Sequence, residues 1–345
     1  MKKVLFYRDF VLKLKDILSE VGNNGYLYLP NSNNTYSRFT FNDEIVVDEK
    51  SLNKIRTIDP VKTFFFKPRE PILNFEKENF LQIIVGIKSC DISALKILDK
   101  IFLNKEYIDP LYQFYRERTI IVSTDCPYPE KNCFCNLVGG NPYCDSGYDL
   151  NLSLVEDGRY ILSSGSKKGE EIIEKHFSNF SQPYKDDIIK NDNLRILAKQ
   201  VLKENNKDYY IDVEEYYNII KDGYELNDIW KKESEQCVQC SGCNFICPSC
   251  YCFLIRESSK SFQEQFRDKV WDACHSTGYA RVAGGGNARK YKFQRFRNRY
   301  QCKFVYRKDN YNIYACTGCG RCIDVCPAKI DIRKVTKNFS IAKLV

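Results

Sequence analysis

With 345 residues the chain can bury a sizeable core and divide into more than one folding unit, so it does not need disulfides to rescue a small domain. Its 17 cysteines are far above ordinary usage yet too dilute for a disulfide scaffold, which leaves metal ligation as the leading use. The formal net charge of +8 suggests an anionic partner such as nucleic acid, but roughly twelve thiolates holding three clusters of core charge about +2 would leave the loaded protein near about +2.

The N-terminus, MKKVLFYRDF, begins like a signal peptide, but Tyr7, Arg8 and Asp9 break the apolar run at once. Val11, Leu14, Leu18 and Val21 then recur at helical spacing, and no later stretch has the apolar length to span a bilayer. A cytoplasmic protein with reduced thiols and no membrane segment is expected. The fold class is α+β, an N-terminal α/β cluster-binding domain followed by a C-terminal α-helical dicluster ferredoxin domain. Three regions divide it: 1–155 as the α/β domain, 156–230 as a connecting module holding the short apolar run Tyr160 to Leu162, and 231–345 as the cysteine-rich helical domain.

In the first region the run FLQIIVGIK, Phe80 to Lys88, reads as a buried strand that leads through Ser89 to Cys90. Asp91 is placed to cap a helix carrying Ile92, Leu95, Leu98 and Phe102 on one face. A second strand, Thr119 to Ser123, runs out at Cys126. Strand, crossover helix and strand make a βαβ unit, so the strands are parallel and both cysteines emerge at their carboxyl ends, where α/β folds place ligands. Cys133 and Cys135 follow in one loop, giving four thiols that can converge: Cys90, Cys126, Cys133 and Cys135. Spacing alone leaves open that Cys90 and Cys126 are buried small apolar residues and that the Cys133/Cys135 pair is fortuitous.

The strongest motif is Cys237-x-x-Cys240-x-x-Cys243-x-x-x-Cys247-Pro248, repeated as Cys316-x-x-Cys319-x-x-Cys322-x-x-x-Cys326-Pro327. This is the bacterial ferredoxin pattern, in which three closely spaced thiolates wrap one 4Fe-4S cubane and the fourth, before proline, ligates the other. One cluster is therefore assigned to Cys237, Cys240, Cys243 and Cys326, and a second to Cys316, Cys319, Cys322 and Cys247. Gly242, Gly318 and Gly320 are expected to supply positive φ and close backbone approach. Structural zinc is the bland alternative, but zinc ribbons use two separated pairs and need neither a dense run of four cysteines nor a terminal proline. The long insertion between Cys247 and Cys316 is expected to be helical.

Cys144, Cys250, Cys252, Cys274 and Cys302 remain over. A further metal site from Cys250, Cys252, Cys274 and Cys302 is the less favoured reading beside packing roles. His176 lies in a charged helical stretch and reads as surface. From Arg281 to Lys308 there are ten Lys or Arg and no Asp or Glu, with aromatics interleaved, a composition that suits single-stranded nucleic acid. Aromatics at three- and four-residue intervals are more often a helix's core face, so Arg295, Arg297 and Arg299 are assigned to partner docking and to screening of anionic clusters. Gly284 to Gly286 lack the flanks of a dinucleotide fingerprint and read as a turn. No nucleophile-base set is present, so the chain reads as a conductor of electrons without a catalytic centre of its own.

Across nearly its whole length the chain resembles the beta, iron-sulfur subunit of cytoplasmic nickel-iron sulfhydrogenases, and more distantly the electron-transfer subunit of anaerobic sulfite reductases. The carriers are FFFKPRE at Phe64 to Glu70, SCDISALKILD at Ser89 to Asp99, NCFCN at Asn132 to Asn136 and GYDL at Gly147 to Leu150. In the second half they are CPSCYC at Cys247 to Cys252, WDAC at Trp271 to Cys274, VAGG at Val282 to Gly285, and RFRNRYQCK at Arg295 to Lys303. The resemblance implies electron transfer between a hydrogenase catalytic module, with its large and small subunits, and a flavin/NAD(P)-binding subunit, or between sulfite reductase subunits. It also favours a third cluster at Cys90, Cys126, Cys133 and Cys135, and makes Cys250, Cys252 and Cys274 candidates for additional ligands.

Overall fold

The computed structural model describes residues 1–72, 80–156, 158–259 and 265–342. Strand β1 (Lys2–Phe6) leads into α1 (Tyr7–Val21), whose buried face carries Phe10, Val11, Leu14 and Leu18. Next come β2 (Gly25–Pro30), β3 (Tyr36–Phe39), the short α2 (Glu49–Asn53) and β4 (Arg69–Pro71). The βαβ unit follows as β5 (Leu81–Ile87), α3 (Ser89–Phe102) and β8 (Thr119–Thr124). Between α3 and β8 lie a small hairpin, β6 (Leu103–Asn104) and β7 (Tyr107–Ile108), and α4 (Pro110–Glu117). Strands β9 (Leu150–Leu154) and β10 (Arg159–Ser164) and helix α5 (Lys167–His176) complete this part.

Seven strands form one sheet in the order β1-β10-β9-β8-β5-β2-β3. Its centre, β2, β5, β8 and β9, is parallel, and both faces are covered, as parallel sheets require. Ile83, Val85, Ile120 and Val122 pack under α1 and α5, while Ile84 and Ile121 pack against Ile92, Leu95, Leu98 and Phe102 of α3. Helix α3 begins one turn earlier than an Asp91 cap would place it, with Lys88 in extended backbone as its cap, so Asp91 sits in the first turn. The boundary expected near 155 falls between β9 and β10, which are hydrogen-bonded neighbours. Ile173 and Phe177 beyond it belong to the same core.

Helix α6 (Lys185–Asn206) bridges from this sheet to a helical unit built from α7 (Glu215–Asp222), α8 (Asn227–Ser234), α10 (Lys292–Gln301) and α13 (Ile332–Ala342). Trp230 is the anchor there, its ring 4.1 Å from Phe339 and 5.3 Å from Tyr300. One-turn helices α9 (Gly242–Phe245) and α12 (Arg321–Asp324) carry the two cysteine motifs. The insertion between them runs as helix only in its second half. It opens with a hairpin, β11 (Phe253–Ser259) and β12 (Gln265–Trp271), whose second strand pairs with β4 from the other end of the chain. After it, α10 runs through a π-helical turn at Cys302–Tyr306 into α11 (Arg307–Tyr311). No helix among the described residues is long and apolar enough to cross a membrane.

Candidate functional site

The two cysteine motifs repeat in backbone as well as in sequence. Gln239 (φ 58) and Ser241 (φ 60) occupy the left-handed region in the first, and Gly318 (φ 65) and Gly320 (φ 77) occupy it at the matching places in the second. Gly242 is not among the positive-φ residues, so the expected glycine role falls instead on Gln239 and Ser241, which carry the strain of a side chain there. Glycine is required in the second motif for a different reason. A Cβ on Gly318 would lie 2.4 Å from the Cys135 backbone nitrogen, and one on Gly320 2.3 Å from the Asn132 carbonyl oxygen. The loop bearing Cys133 and Cys135 is pressed directly onto this motif, and Phe134 N donates to Gly318 O at 2.8 Å.

Cys237, Cys240, Cys243 and Cys326 line one cavity, which Cys322, His275 and Arg299 also reach. Cys90, Cys126, Cys133 and Cys135 line another, shared with Cys319, Arg56 and Lys88. Cys316, Cys319, Cys322 and Cys247 lie between the two, within electrostatic reach of one another. All three predicted quartets are thus brought together. Burial pushes the Cys126 and Cys316 thiols up to about 11 and the Cys322 thiol to about 12, so thiolates at these positions need compensating cations.

Those cations are present and buried. Lys303 is 1% exposed and donates to Cys247 Sγ at 3.1 Å and Ser249 Oγ at 2.7 Å. Lys88, also buried, donates only to neutral acceptors: Leu52 O, Thr124 Oγ1 and Asp125 O. Burial opposes the charge of Arg299, yet the Cys243 and Cys322 thiolates hold its pKa above the ordinary guanidinium value. Among the described residues none of these three is paired with a carboxylate, and the buried Nε atoms of Arg299 and Arg56 have no hydrogen-bond partner. Unpaired buried charge costs several kcal/mol, on the order of 3–5 kcal/mol when a partner is missing, so the pockets fit an anionic group. A 4Fe-4S cube with four thiolates is such a group.

The rest of the expected residues divide. Cys250 is hydrogen-bonded to Cys247, and Cys252 to Cys274, with Cys302 nearby. Cys144 is a buried packing residue that contacts Ser89 and Ser123. Docking by Arg295, Arg297 and Arg299 is corrected, because all three are only 5–7% exposed within this chain. Arg295 is spent on the His275, Arg289 and Lys290 carbonyls. Arg297 stacks 3.7 Å over Tyr224 and bonds its carbonyl. Arg299 alone of the three lies beside the Cys243 and Cys322 thiols. Phe296, Tyr300 and Phe304 are core residues, so they offer no rings for stacking bases. Gly284 and Gly285 sit in an exposed turn at positive φ.

Sequence reasoning missed His275, which lines the first cavity with Nε2 unpartnered and which burial, Arg299 and Arg295 push down to about 3. It also missed Lys88 and Lys303; nothing local separates a buried lysine from a surface one, although Lys303 directly follows Cys302.

Residues 236–330 match the family model of a 4Fe-4S dicluster domain. Sulfhydrogenase 2 subunit beta of Pyrococcus furiosus is 32% identical over 338 residues, an alignment that spans 96% of this chain and 95% of the relative. Similarity of that extent, on a chain whose cysteine quartets meet in cation-lined cavities, shows that it belongs to the sulfhydrogenase beta-subunit family of iron-sulfur proteins.

Proposed function

We propose that this chain is the electron-transfer subunit of a cytoplasmic hydrogenase complex, holding 4Fe-4S clusters between a nickel-iron catalytic module and a flavin and NAD(P) module. The observation that carries the reading is continuity. Cys322 of the middle quartet lines the cavity of Cys237, Cys240, Cys243 and Cys326, while Cys319 of the same quartet lines that of Cys90, Cys126, Cys133 and Cys135. Clusters held by the three quartets would thus be linked through residues that the middle quartet shares with each cavity.

Each cluster, when bound, accepts and returns one electron. The protein's residues set the terms. Lys303, Arg299 and Lys88 hold positive charge against the added electron in a low-dielectric interior. Phe296 and Tyr300 exclude water from the first cavity, and the exposed Cys240 brings that end of the row to the surface. The partners on this reading are hydrogenase large and small subunits and a flavin/NAD(P)-binding subunit. The name of the Pyrococcus furiosus relative supports a hydrogenase over a sulfite reductase assembly.

The test is anaerobic purification with iron, sulfide and zinc analysis and low-temperature EPR during reductive titration. At least about twelve iron and twelve sulfide per chain, with interacting reduced-cluster signals, is expected. About eight of each would remove the N-terminal cluster, and zinc without sulfide would overturn the reading.

A further inference from the structure

The first cavity is bordered by donors that have no acceptor. Among the described residues the buried His275 Nε2, Arg299 Nε and Tyr300 hydroxyl lack a hydrogen-bond partner, and all three side chains line the space shared by Cys237, Cys240, Cys243 and Cys326. None of the three residues is more than 6% exposed, so bulk water does not serve them. A buried donor left unpaired is costly, and several gathered on one cavity point to a missing acceptor. The N-terminal cavity differs, since Arg56 Nε is the one such atom among its described lining residues, on a guanidinium already paired with Asp324.

Packing holds both uncharged donors in place. The His275 carbonyl accepts from Arg295 Nε at 3.2 Å, and its ring lies 6.1 Å from that of Phe296. Tyr300 is wedged between Trp230 and Phe296, with ring centroids 5.3 and 5.1 Å away. Sulfur is the acceptor the cavity calls for. Hydrogen bonds to the sulfurs of an iron-sulfur cluster help to set its potential, and they favour the reduced form, whose sulfurs carry more negative charge. The imidazole hydrogen belongs on Nε2, because a bare lone pair there would face thiolates with nothing to receive.

We propose that His275 and Tyr300 donate hydrogen bonds to the sulfurs of the cluster held by Cys237, Cys240, Cys243 and Cys326 and raise its potential, drawing electrons in the row toward the exposed Cys240. Neither residue ligates iron. The inference rests on reading the quartets as cluster ligands.

Two readouts test it on the anaerobically purified chain. The sequence has two histidines, and His176 lies on α5 beside Glu20, so isotopic labelling of histidine nitrogen reports on His275 in pulsed EPR of the reduced protein. A weak nitrogen coupling, lost in H275F, is expected. In potentiometric titration Y300F and H275F should each move one cluster to lower potential, by a roughly three- to tenfold change in its reduced-to-oxidised ratio, or about 30–60 mV. H275Q, which keeps an N–H, should move it less. Unmoved potentials in Y300F and H275F at the parent's iron and sulfide content would overturn the proposal, as would a strong nitrogen coupling, which would make His275 a ligand. Should H275F shed its cluster, the labelled parent and Y300F, which lacks a single oxygen, decide. About twelve iron with no shift rejects this inference alone, whereas a parent without iron-sulfur EPR signals rejects the quartet reading and this inference with it.

Discussion

Lys303 Nζ donates a hydrogen bond to Cys247 Sγ over 3.1 Å from a position buried almost completely, with Ser249 Oγ holding a second N–H. At an effective dielectric near 20, one ammonium a few ångströms from a redox centre is worth roughly 1–3 kcal/mol, or about 40–130 mV for one electron. The K303M variant is expected to lower the potential of the middle cluster by roughly 50–100 mV in an EPR-monitored titration. An unmoved potential would show that Lys303 only packs.

The Asp91 carboxylate and the Arg321 guanidinium form a buried two-pronged ion pair, 2.8 Å at each prong, between the first turn of α3, which also carries Cys90, and the residue before Cys322. Removing one partner leaves a charge unpaired. D91N is expected to destabilise the protein by about 3–5 kcal/mol in urea unfolding, while the doubly apolar D91L/R321M recovers much of that loss. Equal damage in the single and double variants would contradict this account.

Gly318 combines positive φ with a backbone contact that leaves no space for a methyl group. G318A should push the Cys133/Cys135 loop off the second motif. The expected readout is loss of about four iron per chain and of magnetic interaction with the N-terminal cluster, with the remaining signals kept. Retention of full iron and unchanged interaction would mean that the loops adjust around the added carbon.

Stripping iron by chelation leaves Lys303, Arg299 and Lys88 buried against neutral thiols. Hydrogen exchange should then rise across 236–330, where the cysteine-bearing turns are short, while the central strands β5 and β8 keep their protection. Uniform protection before and after removal would show that the helical unit stands without its cofactors.

The sequence was most readable where the signal is local. The βαβ unit follows from one apolar run, one helical face and a second run, and β5 and β8 are indeed parallel, with Cys90 and Cys126 just past their ends. Periodicity could not show that β12 finds its partner in β4, far back in the chain, because edge pairing of that kind leaves no local mark. The extension of the sheet past 155 was hidden in the same way, since β10 is held by β1 at the far end of the chain. Arg295, Arg297 and Arg299 looked like surface because arginine usually is. Their burial depends on carbonyls, a tyrosine face and thiols contributed by distant segments.

The press of the Cys133/Cys135 loop onto Gly318 fixes a distance. A core built on a sheet and a core built on helices meet where the N-terminal quartet approaches the second motif. On the proposed relay an electron passing between the two parts crosses at this contact, so the rate of that step is set by backbone packing as well as by the ligands.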